Sequence, residues 1–389
     1  MCNMKKYTVG SLFAGVGGIC KGFEMAENDG AKYELIWANE IDEYACETYR
    51  TNFEHSLLEG DINYILHPEK SDDFEKYSML HEKILEQPID ILNGGFPCQA
   101  FSIAGEQKGF EDERGNLFMS FIDLINQLNE KFSKKPRIVF MENVKNLKAH
   151  DKGRTYPVIK KKLQDCGYIV KEKVLNTMDY SDLPQNRERI YIICFLNQND
   201  ADKFDLFDDE VLNKFKKERT KDERINQIKN IIDYSVDNEK FFYTKEKYPH
   251  YFLSEEEYLS NENRRDERIN LDEGITEKYE FYQLRRGMYI RKNKSDVCPT
   301  LTANMGTGGH NVPLILTDKG IRKLTPEETF KLQGFPICNE KYKLPKSFNN
   351  RNYPISQLYK QAGNAVSVDI IKFISQYILN ILVNNDAVE

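Results

Sequence analysis

The sequence predicts an α/β fold with a mostly parallel sheet covered by helices on both faces. Three observations carry this prediction: short apolar runs alternate with helical patterns from Tyr7 to Phe195, the runs have the composition of buried strands, and the pattern changes after Phe195. Strand–helix–strand repetition is typical of parallel sheets, whose strands are buried on both faces. Functional side chains are then expected directly after the strands, because ligands bind at the carboxyl edge of such sheets.

Each element follows from the spacing of its apolar residues. Continuous apolar runs predict buried strands, and apolar residues that recur about every three to four positions predict helices. The predicted strands are 8–13, 33–38, 89–92, 137–141 and 189–195, and the predicted helices are 18–26, 44–52, 116–132, 156–166 and 365–382. The acidic insert 69–86 is predicted to be a surface helix without recognisable chemistry.

The character of the chain changes after Phe195. Residues 197–237 are rich in charge and predict a linker with a surface helix, whereas residues 243–316 are rich in Tyr, Asn, Arg and Gly and lack a long helical period. We therefore expect a large domain formed by residues 1–200 and 350–389, and a smaller irregular domain with a hinge formed by residues 201–349.

Composition argues against several classes of protein. The net charge is −7, so any contact with nucleic acid has to be a local basic surface on an acidic body. The eight cysteines form no Cys-x-x-Cys pair and no Cys/His cluster, so neither a disulfide framework nor a metal site is expected, and a reducing cytoplasm suits them. The sequence has no secretory signal pattern and no apolar stretch of membrane-spanning length, so we expect a soluble cytoplasmic protein without a membrane partner.

Three predicted strand ends carry residues that suit an adenosine ligand. The first is followed by the loop Phe13-Ala14-Gly15-Val16-Gly17-Gly18, whose glycines allow sharp turns and close approach of a ligand, although such loops are as often plain turns. Glu40 follows the second strand and could accept from both ribose hydroxyls, and Asp61 follows the next apolar run and could accept from an adenine amino group. The loop lacks the Gly-x-Gly-x-x-Gly spacing of dinucleotide sites, so S-adenosylmethionine fits better.

A candidate nucleophile, Cys98, lies on the loop Asn93-Gly94-Gly95-Phe96-Pro97-Cys98-Gln99, directly after a proline that stiffens the backbone. A lone cysteine is more often a small core residue, so its position alone makes it only a candidate. Glu142 follows the strand at 137–141 and places a carboxylate at the same edge, where it could also serve as a helix cap. Arg187 and Arg189 come at the last predicted strand, and for Arg187 alone surface charge is the simpler interpretation.

Together these segments resemble a known family. The motifs Phe13-Ala14-Gly15-x-Gly17-Gly18, Phe96-Pro97-Cys98-Gln99, Glu142-Asn143-Val144, Gln185-x-Arg187-x-Arg189 and Gln361-x-Gly363-Asn364 occur in this order. In order and spacing the sequence resembles the DNA cytosine-5 methyltransferases, especially the compact bacterial and phage restriction–modification type. The resemblance covers nearly the whole chain apart from 69–86 and much of 197–280.

The resemblance implies a Rossmann-like, S-adenosylmethionine-dependent methyltransferase domain at 1–200 and 350–389 and a target-recognition domain at 201–349. It implies that Cys98 adds to carbon 6 of cytosine, that Glu142 holds the N3/N4 edge, and that Arg189 positions the base with support from Arg187. The cofactor product is S-adenosylhomocysteine, and no metal is implied. The residues implied to contact the cofactor are Phe13, Ala14, Gly15, Gly17, Gly18, Glu40, Ile41, Asp61, Ile62, Pro97, Leu117, Asn364 and Ala365.

The implied partner is double-stranded DNA that carries a short specific sequence. A cytosine inside a stacked duplex is out of reach, so the base has to be flipped out, which costs a few kcal/mol. The basic stretch 281–294 by itself would be a solvated surface, and the resemblance turns it into a candidate DNA contact. The residues predicted to contact DNA are Arg285, Arg286, Arg291, Lys292, Thr300, Leu301, Gly308 and Gly309. We further expect a monomer, and a cognate restriction endonuclease that acts separately.

Three alternatives share parts of this pattern. A tRNA cytosine-5 methyltransferase has the same catalytic motifs, and the basic, glycine-rich region 280–310 favours duplex DNA over tRNA without excluding it. A catalytically inactive DNA-binding relative is disfavoured because Cys98, Glu142 and Arg189 are all present. A Rossmann-type oxidoreductase is disfavoured by the missing dinucleotide spacing and by the Pro97-Cys98 loop, which hydride transfer does not need.

Overall fold

A computed structural model of the protein describes residues 4–96, 116–260, 268–285, 289–306, 311–337 and 340–387. The chain folds into two compact units. Unit 1 comprises Met1–Leu175, Glu188–Lys216 and Ile370–Glu389, and unit 2 comprises Asn176–Arg187 and Lys217–Asp369. The predicted domain limits, 1–200 with 350–389 and 201–349, stay a prediction.

Regular structure runs through both units. The strands of the described chain are β1 (Lys5–Leu12), β2 (Glu27–Asn28), β3 (Ala31–Glu40), β4 (Ser56–Glu59), β5 (Ile91–Gly94), β6 (Ile138–Val144), β7 (Ile169–Asn176), β8 (Gln185–Asn186), β9 (Glu188–Phe195), β10 (Tyr282–Arg285), β11 (Tyr289–Lys292), β12 (Cys298–Pro299), β13 (Val312–Thr317), β14 (Gly320–Lys323), β15 (Ser347–Phe348) and β16 (Arg351–Asn352). The α-helices of the same residues are α1 (Gly18–Glu24), α2 (Glu43–Arg50), α3 (Ile62–Leu66), α4 (Phe74–Ile84), α5 (Asn116–Phe132), α6 (Thr155–Asp165), α7 (Thr177–Tyr180), α8 (Gln198–Lys203), α9 (Asp209–Asn213), α10 (Lys221–Ile231), α11 (Glu255–Leu259), α12 (Leu271–Gly274), α13 (Pro326–Leu332), α14 (Ile355–Asn364) and α15 (Val368–Asp386).

The centre of unit 1 is a sheet whose described strands follow the order β2-β3-β1-β5-β6-β9-β7, with β4 also paired to β3. The pairs β1–β3, β1–β5, β5–β6 and β3–β4 are parallel, whereas β2–β3 and β6–β9 are antiparallel. The predicted α/β fold is confirmed, and the sheet is mixed. Because β9 is reversed, its first residues lie opposite the end of β6: Arg189 pairs with Val144.

The predicted elements match the structure best where burial is complete. Helix α5 has the predicted bounds, and Ile138 to Met141 of β6 are all 0 % exposed, as expected of a central strand. Strand β7 is absent from the predicted strands because its sequence interleaves charged residues, as in Lys171-Glu172-Lys173, and most of it is only partly buried. A half-buried strand of this kind has no continuous apolar run.

Helix α15 is a core helix of unit 1 from Ile370 onward. Its fully buried apolar side chains are Ile370, Ile371, Ile374, Ile378 and Leu379. The helix lies so close to α1 that a Cβ on Gly22 would be 2.5 Å from the Cβ of Ile371. Among the described residues, the helical stretch Ile355–Asp386 is long and apolar enough to cross a membrane, and 61 % of its most apolar window is buried in the protein. This burial marks α15 as a core helix.

A charge cluster joins the end of α15 to the start of the central strands. Arg137 donates to both carboxylate oxygens of Asp200, at 2.6 and 2.8 Å, and to Asp386 at 2.6 Å. Tyr7 and Lys5 also donate to Asp386. Burial opposes the ionisation of Asp386, but the hydrogen bonds from Lys5, Tyr7 and Arg137 outweigh it and hold the pKa of this carboxyl at about 2.

This depressed pKa predicts a loss of stability in acid. The folded pKa lies below that of the unfolded chain, about 3.9, so the stabilisation is present above that pH and is lost as the pH falls through about 2. Allowing for solvent screening, we expect the free energy of unfolding of the wild type to fall by about 1–2 kcal/mol more than that of Asp386→Asn over this pH range. Urea unfolding from about pH 5 to about pH 2 measures the difference, with Asp165→Asn at the exposed pair with Lys161 as the control. Parallel profiles for wild type and Asp386→Asn would contradict the prediction.

The centre of unit 2 is an antiparallel sheet whose described strands follow the order β11-β10-β13-β14. Its core draws on the sheet and on the irregular segment before it, and consists of Tyr243, Tyr251, Phe252, Ile269, Leu271, Ile275, Tyr282, Leu284, Val312, Leu314 and Ile321. Because many of these side chains come from segments without a regular period, the core depends on contacts that no local pattern predicts.

A buried ion pair holds three segments of unit 2 together. Arg322 and Glu328 are 0 % and 2 % exposed and form two parallel N–H···O bonds of 2.9 and 2.7 Å. Arg322 also donates to the carbonyls of Asp233 and Lys323, and Glu328 accepts from the backbone N–H groups of Asp233 and Thr325. The pair thus joins β14, the start of α13 and the segment after α10.

Candidate active site

The loop after β1 has the left-handed backbone that its glycines predict. Phe13 (φ 52°), Gly15 (φ 55°) and Gly17 (φ 81°) all lie in that region. A Cβ on Gly17 would lie 2.2 Å from Cε2 of Phe53, whereas a Cβ on Gly15 would meet nothing within 4 Å. Gly17 is therefore required for the packing of the loop, and Gly15 borders open space that a ligand can enter.

Replacing Gly17 by alanine is expected to lower stability by about 2–4 kcal/mol, because the steric overlap with Phe53 adds to the left-handed strain. Gly15→Ala is the matched control, since it carries the same kind of strain without the overlap and should cost about 1 kcal/mol. Chemical denaturation of both variants measures the difference. Equal losses of stability in the two variants would show that the overlap with Phe53 does not destabilise Gly17→Ala.

Glu40 ends β3 with its carboxylate held by the backbone. Oε2 accepts from the N–H of Gly15 at 2.7 Å, and Oε1 accepts from the N–H groups of Ile41 and Asp42, both at 2.8 Å. The side chain thus links the glycine loop to the turn after β3. Beside it, Ile41 is 63 % exposed, so its apolar surface is accessible to a ligand.

Asn39 and Asp61 shape the next strand end. The amide of Asn39 is buried and donates to the carbonyls of Leu58 and Gly60, both at 2.9 Å. It fixes the turn after β4, where the partly exposed Asp61 caps α3 by accepting from the N–H of Asn63 at 2.9 Å. Asn39 is absent from the predicted site residues, and its signal in the sequence is an asparagine within an apolar strand, where this residue type is rare.

The residues that precede Cys98 in the sequence lie beside Glu142. Cys98 itself is outside the described residues. A Cβ on Gly95 would be 3.5 Å from Oε2 of Glu142, and the carbonyl of Phe96 accepts from the amide of Asn143 at 2.9 Å. Asn143, for which the sequence predicted no role, therefore ties the end of β6 to the loop that follows β5.

Glu142 and Arg189 form an ion pair at the end of β6. Nε of Arg189 lies 3.2 Å from Oε1 of Glu142, and the two side chains are 13 % and 9 % exposed. The reversed direction of β9 brings them together, because Arg189 lies near the start of that strand and pairs with Val144 at the end of β6. A nearly buried carboxylate oriented by a guanidinium is suited to hydrogen-bond the edge of a heterocyclic base.

In unit 2, the structure brings together predicted residues from three motifs. Arg187 is 2 % exposed and donates to the backbone carbonyl of Leu301 at 3.0 Å and to that of Ala365, which follows Asn364 at the end of α14. This burial rules out surface charge as the interpretation of Arg187. The side chain of Leu301 is also buried, whereas Thr300 is partly exposed.

The described part of the basic run includes the paired antiparallel strands β10 and β11. Arg291 lies exposed on the edge strand β11, and Arg285 is partly exposed on β10. Lys292 donates to Glu277 at 2.9 Å and lies 3.3 Å from Glu280, and the hydrogen bond to Glu277 raises the pKa of Lys292. Since these carboxylates offset the charge of Lys292, Arg291 is the better candidate for a phosphate contact.

The remaining predicted site residues have simpler placements. Ala14, Gly18 and Ile62 are buried within unit 1, and Leu117 packs partly buried against its core. The predicted residues outside the described part of the chain are Pro97, Cys98, Arg286, Gly308 and Gly309.

Comparison with known proteins identifies the family. The sequence model of the family described as C-5 cytosine-specific DNA methylase matches residues 7–380. The chain belongs to this family. The Type II methyltransferase M.Bsp6I of Bacillus sp. (strain RFL6) is 42 % identical over 373 residues, which cover 95 % of this chain and 98 % of the relative. The Type II methyltransferase M.HhaI of Haemophilus parahaemolyticus is 34 % identical over an alignment that covers 94 % of this chain and 91 % of the relative.

Solved structures share the fold of this cytosine-5 DNA methylase. A DNMT2 mutant of Spodoptera frugiperda superposes with a TM-score of 0.64 at 19 % identity, covering 96 % of this chain and 99 % of its own. The Entamoeba histolytica methyltransferase EhMeth superposes with a TM-score of 0.62 at 18 % identity, and the match covers 97 % of this chain and 99 % of that protein. At these identities the likeness concerns the fold alone. The predicted family, the enzyme class of DNA (cytosine-5-)-methyltransferase and the α/β fold are confirmed.

Proposed function

We propose that this enzyme transfers a methyl group from S-adenosylmethionine to carbon 5 of cytosine within a short specific sequence of duplex DNA. The observation that carries the proposal is the Glu142–Arg189 ion pair, with Gly95 lying against Glu142. Cys98 follows three positions after Gly95 in the sequence. The resemblance to the family makes Cys98 the nucleophile at this edge of the sheet.

The proposed reaction uses side chains of the chain in turn. The thiolate of Cys98 forms a bond to carbon 6 of a flipped cytosine, and the ring electron pair moves to carbon 5 while the carboxyl group of Glu142 gives N3 a proton that neutralises the added charge. Arg189 holds the carboxylate of Glu142 and the oxygen of the base. Carbon 5 then forms a bond to the methyl group that bound S-adenosylmethionine would supply, with S-adenosylhomocysteine as the other product. Loss of the carbon 5 proton to a base returns its electron pair to the ring, the bond to Cys98 breaks, and N3 gives its proton back to Glu142.

The carboxyl edge of unit 1 fits an adenosine cofactor. Gly15 borders open space and Ile41 is exposed beside it. We assign Phe13 to stack on the adenine, Asp61 to accept from its amino group and Glu40 to bind the ribose. Oε2 of Glu40 accepts a single backbone N–H, that of Gly15, and retains a lone pair for a hydroxyl donor. The further residues of unit 1 proposed to line the pocket are Ala14, Gly17, Gly18, Ile62, Pro97 and Leu117. The resemblance to the family also assigns Asn364 and Ala365 to cofactor binding.

We propose double-stranded DNA as the partner of a monomeric enzyme in the cytoplasm, with a cognate restriction endonuclease acting separately. The names of the relatives, Type II methyltransferases, support this setting. Arg285 and Arg291 are proposed to bind phosphates, and Thr300 to lie at the DNA. Arg286, Lys292, Leu301, Gly308 and Gly309 complete the proposed contact region.

Bisulfite sequencing of DNA from cells that express the protein tests the proposal and reads out the target sequence. We expect methylated cytosines at one short sequence and none in cells that express Cys98→Ala. Cys166→Ala is the matched control and should methylate normally, since burial raises the pKa of the Cys166 thiol and makes it a poor nucleophile. Methylation by Cys98→Ala would overturn the nucleophile, and methylation of tRNA in place of duplex DNA would overturn the substrate.

A further inference from the structure

We propose that Arg187 is a positioning residue that couples DNA recognition to cofactor binding through a bridge inside unit 2. The inference rests on the proposed function, which assigns Thr300-Leu301 to DNA and Asn364-Ala365 to the cofactor. Arg187 is 2 % exposed and lies between these two segments. In this position it acts on the two binding sites through the backbone rather than by touching base or cofactor.

One side of the bridge is the carboxyl end of α14. Nη2 of Arg187 donates to the carbonyl of Gly363 at 3.4 Å and to that of Ala365. Carbonyls at a helix carboxyl end lack partners within the helix and carry the negative end of its dipole, so a guanidinium is a favourable partner there. The amide of Gln333 donates to the carbonyl of Ala362 at 2.6 Å. Side chains from outside the helix therefore hold the end that carries Asn364.

The other side of the bridge is the segment around Leu301. Nη1 of Arg187 donates to its carbonyl at 3.0 Å, and Oε1 of Gln185 accepts from its N–H at 3.3 Å. The hydroxyl of Thr300 donates to the carbonyl of Asn186 at 2.7 Å. Strands β8 and β12 pair just before this point, so residues 298–301 are attached to residues 185–187.

The two sides also touch each other. A Cβ on Gly363 would lie 2.2 Å from the carbonyl carbon of Thr302 and 2.3 Å from the nitrogen of Ala303. Only a glycine allows this approach of the helix end to the segment. Close-packed interiors do not compress, so a shift of Thr302 has to be followed by the end of α14. Arg187 holds the same two parts, the end of α14 and the segment around Leu301, at a fixed distance.

This joint predicts reciprocal coupling between the two ligands. When bound DNA restricts the motion of the segment at Thr300, it also restricts the motion of Asn364. A cofactor that restricts the motion of Asn364 has the same effect on the segment. By linkage, S-adenosylhomocysteine tightens DNA binding by the same factor by which DNA tightens S-adenosylhomocysteine binding, about 5–150-fold for couplings of ordinary strength. Arg187→Lys keeps the charge and loses the planar fork that reaches both carbonyls, so the coupling factor should fall toward 1.

The test measures the Kd of the target duplex, found by bisulfite sequencing, with and without S-adenosylhomocysteine. Arg187→Lys should reduce the coupling factor at least about fivefold. Arg322→Lys is the matched control, because Arg322 is another fully buried arginine of unit 2 whose bonds go to Glu328, Asp233 and Lys323. It should lower stability and leave the coupling factor unchanged.

Hydrogen exchange on the wild-type enzyme gives a second measurement that needs no variant. Adding S-adenosylhomocysteine should slow exchange of the amides at Leu301 to Ala303 and leave those near Arg322 unchanged. Unchanged coupling in Arg187→Lys, an equal loss in Arg322→Lys, or no protection at Leu301 would overturn the inference. An enzyme that methylates DNA with a coupling factor of 1 would refute the bridge alone, whereas an enzyme that methylates no DNA would refute the proposed function.

Discussion

Glu142→Gln is expected to lower kcat by about 10²–10⁴-fold and to leave the KM for S-adenosylmethionine nearly unchanged. The amide keeps the shape of the side chain but removes the acidic group that Arg189 holds at 3.2 Å. The cytosine ring then has no carboxyl group that can give N3 a proton as the nucleophile adds electrons to the ring. The loss falls on the chemical step because the charge on the ring develops only as carbon 6 is attacked.

Transfer of labelled methyl groups to the target duplex measures this effect. Glu188→Gln is the matched control: Glu188 precedes Arg189, but its side chain is 44 % exposed and pairs with Lys145. The control should stay within about threefold of the wild-type kcat, since exposed pairs contribute little. If Glu142→Gln also stayed within that range, Glu142 would have no part in the chemistry.

Arg322→Ala is expected to lower the free energy of unfolding by about 3–5 kcal/mol, because it leaves the carboxylate of Glu328 buried without its cation. Glu328 is 2 % exposed, so water cannot replace the lost donors without opening the core of unit 2. The segment around Asp233 should loosen as well, since Arg322 donates to its carbonyl and Glu328 accepts from its N–H.

Urea denaturation followed by fluorescence measures the loss, with Lys278→Ala as the control. Lys278 pairs with Asp318 on the surface and should contribute less than about 1 kcal/mol. Replacing both partners, as Arg322→Met with Glu328→Leu, should recover part of the stability, because no unpaired buried charge remains. A single Arg322→Ala variant as stable as the Lys278→Ala control would contradict this account of the ion pair.

The fold of unit 1 could be predicted where strands are buried on both faces, and its strand directions could not. An apolar run such as Ile190 to Phe195 looks the same in either direction, and the residues of this run are at most 1 % exposed. The antiparallel pairing of β9 with β6 therefore leaves no trace in the local pattern. Strand β7 was beyond prediction for another reason, since its interleaved charges resemble a surface segment.

The site could be predicted as residue types at strand ends, whereas its partners depend on distant parts of the chain. Glu142 and Glu40 were expected just after their strands, but β6 runs on to Val144 and Glu40 is the last residue of β3. The ion pair of Glu142 with Arg189 requires the reversed strand. Arg187 has the sequence context of a surface charge and is buried because its acceptors come from Leu301 and Ala365. Such long-range hydrogen bonds have no periodic signature.

The packing of α15 sets the order in which the protein can mature during synthesis. Ile370–Glu389 belongs to unit 1, yet it leaves the ribosome after every residue of unit 2. Until then the face of α1 at Gly22 lacks Ile371, which packs against it in the finished fold. The hydroxyl of Tyr33 likewise lacks its acceptor, the carbonyl of Ser375. Domains generally fold as units, so the nascent chain completes unit 2 while unit 1 is still open. A chain cut short after residue 369 would keep most of its motifs but expose the apolar surface that α15 covers, which makes it a substrate for chaperones and proteases rather than a methylase.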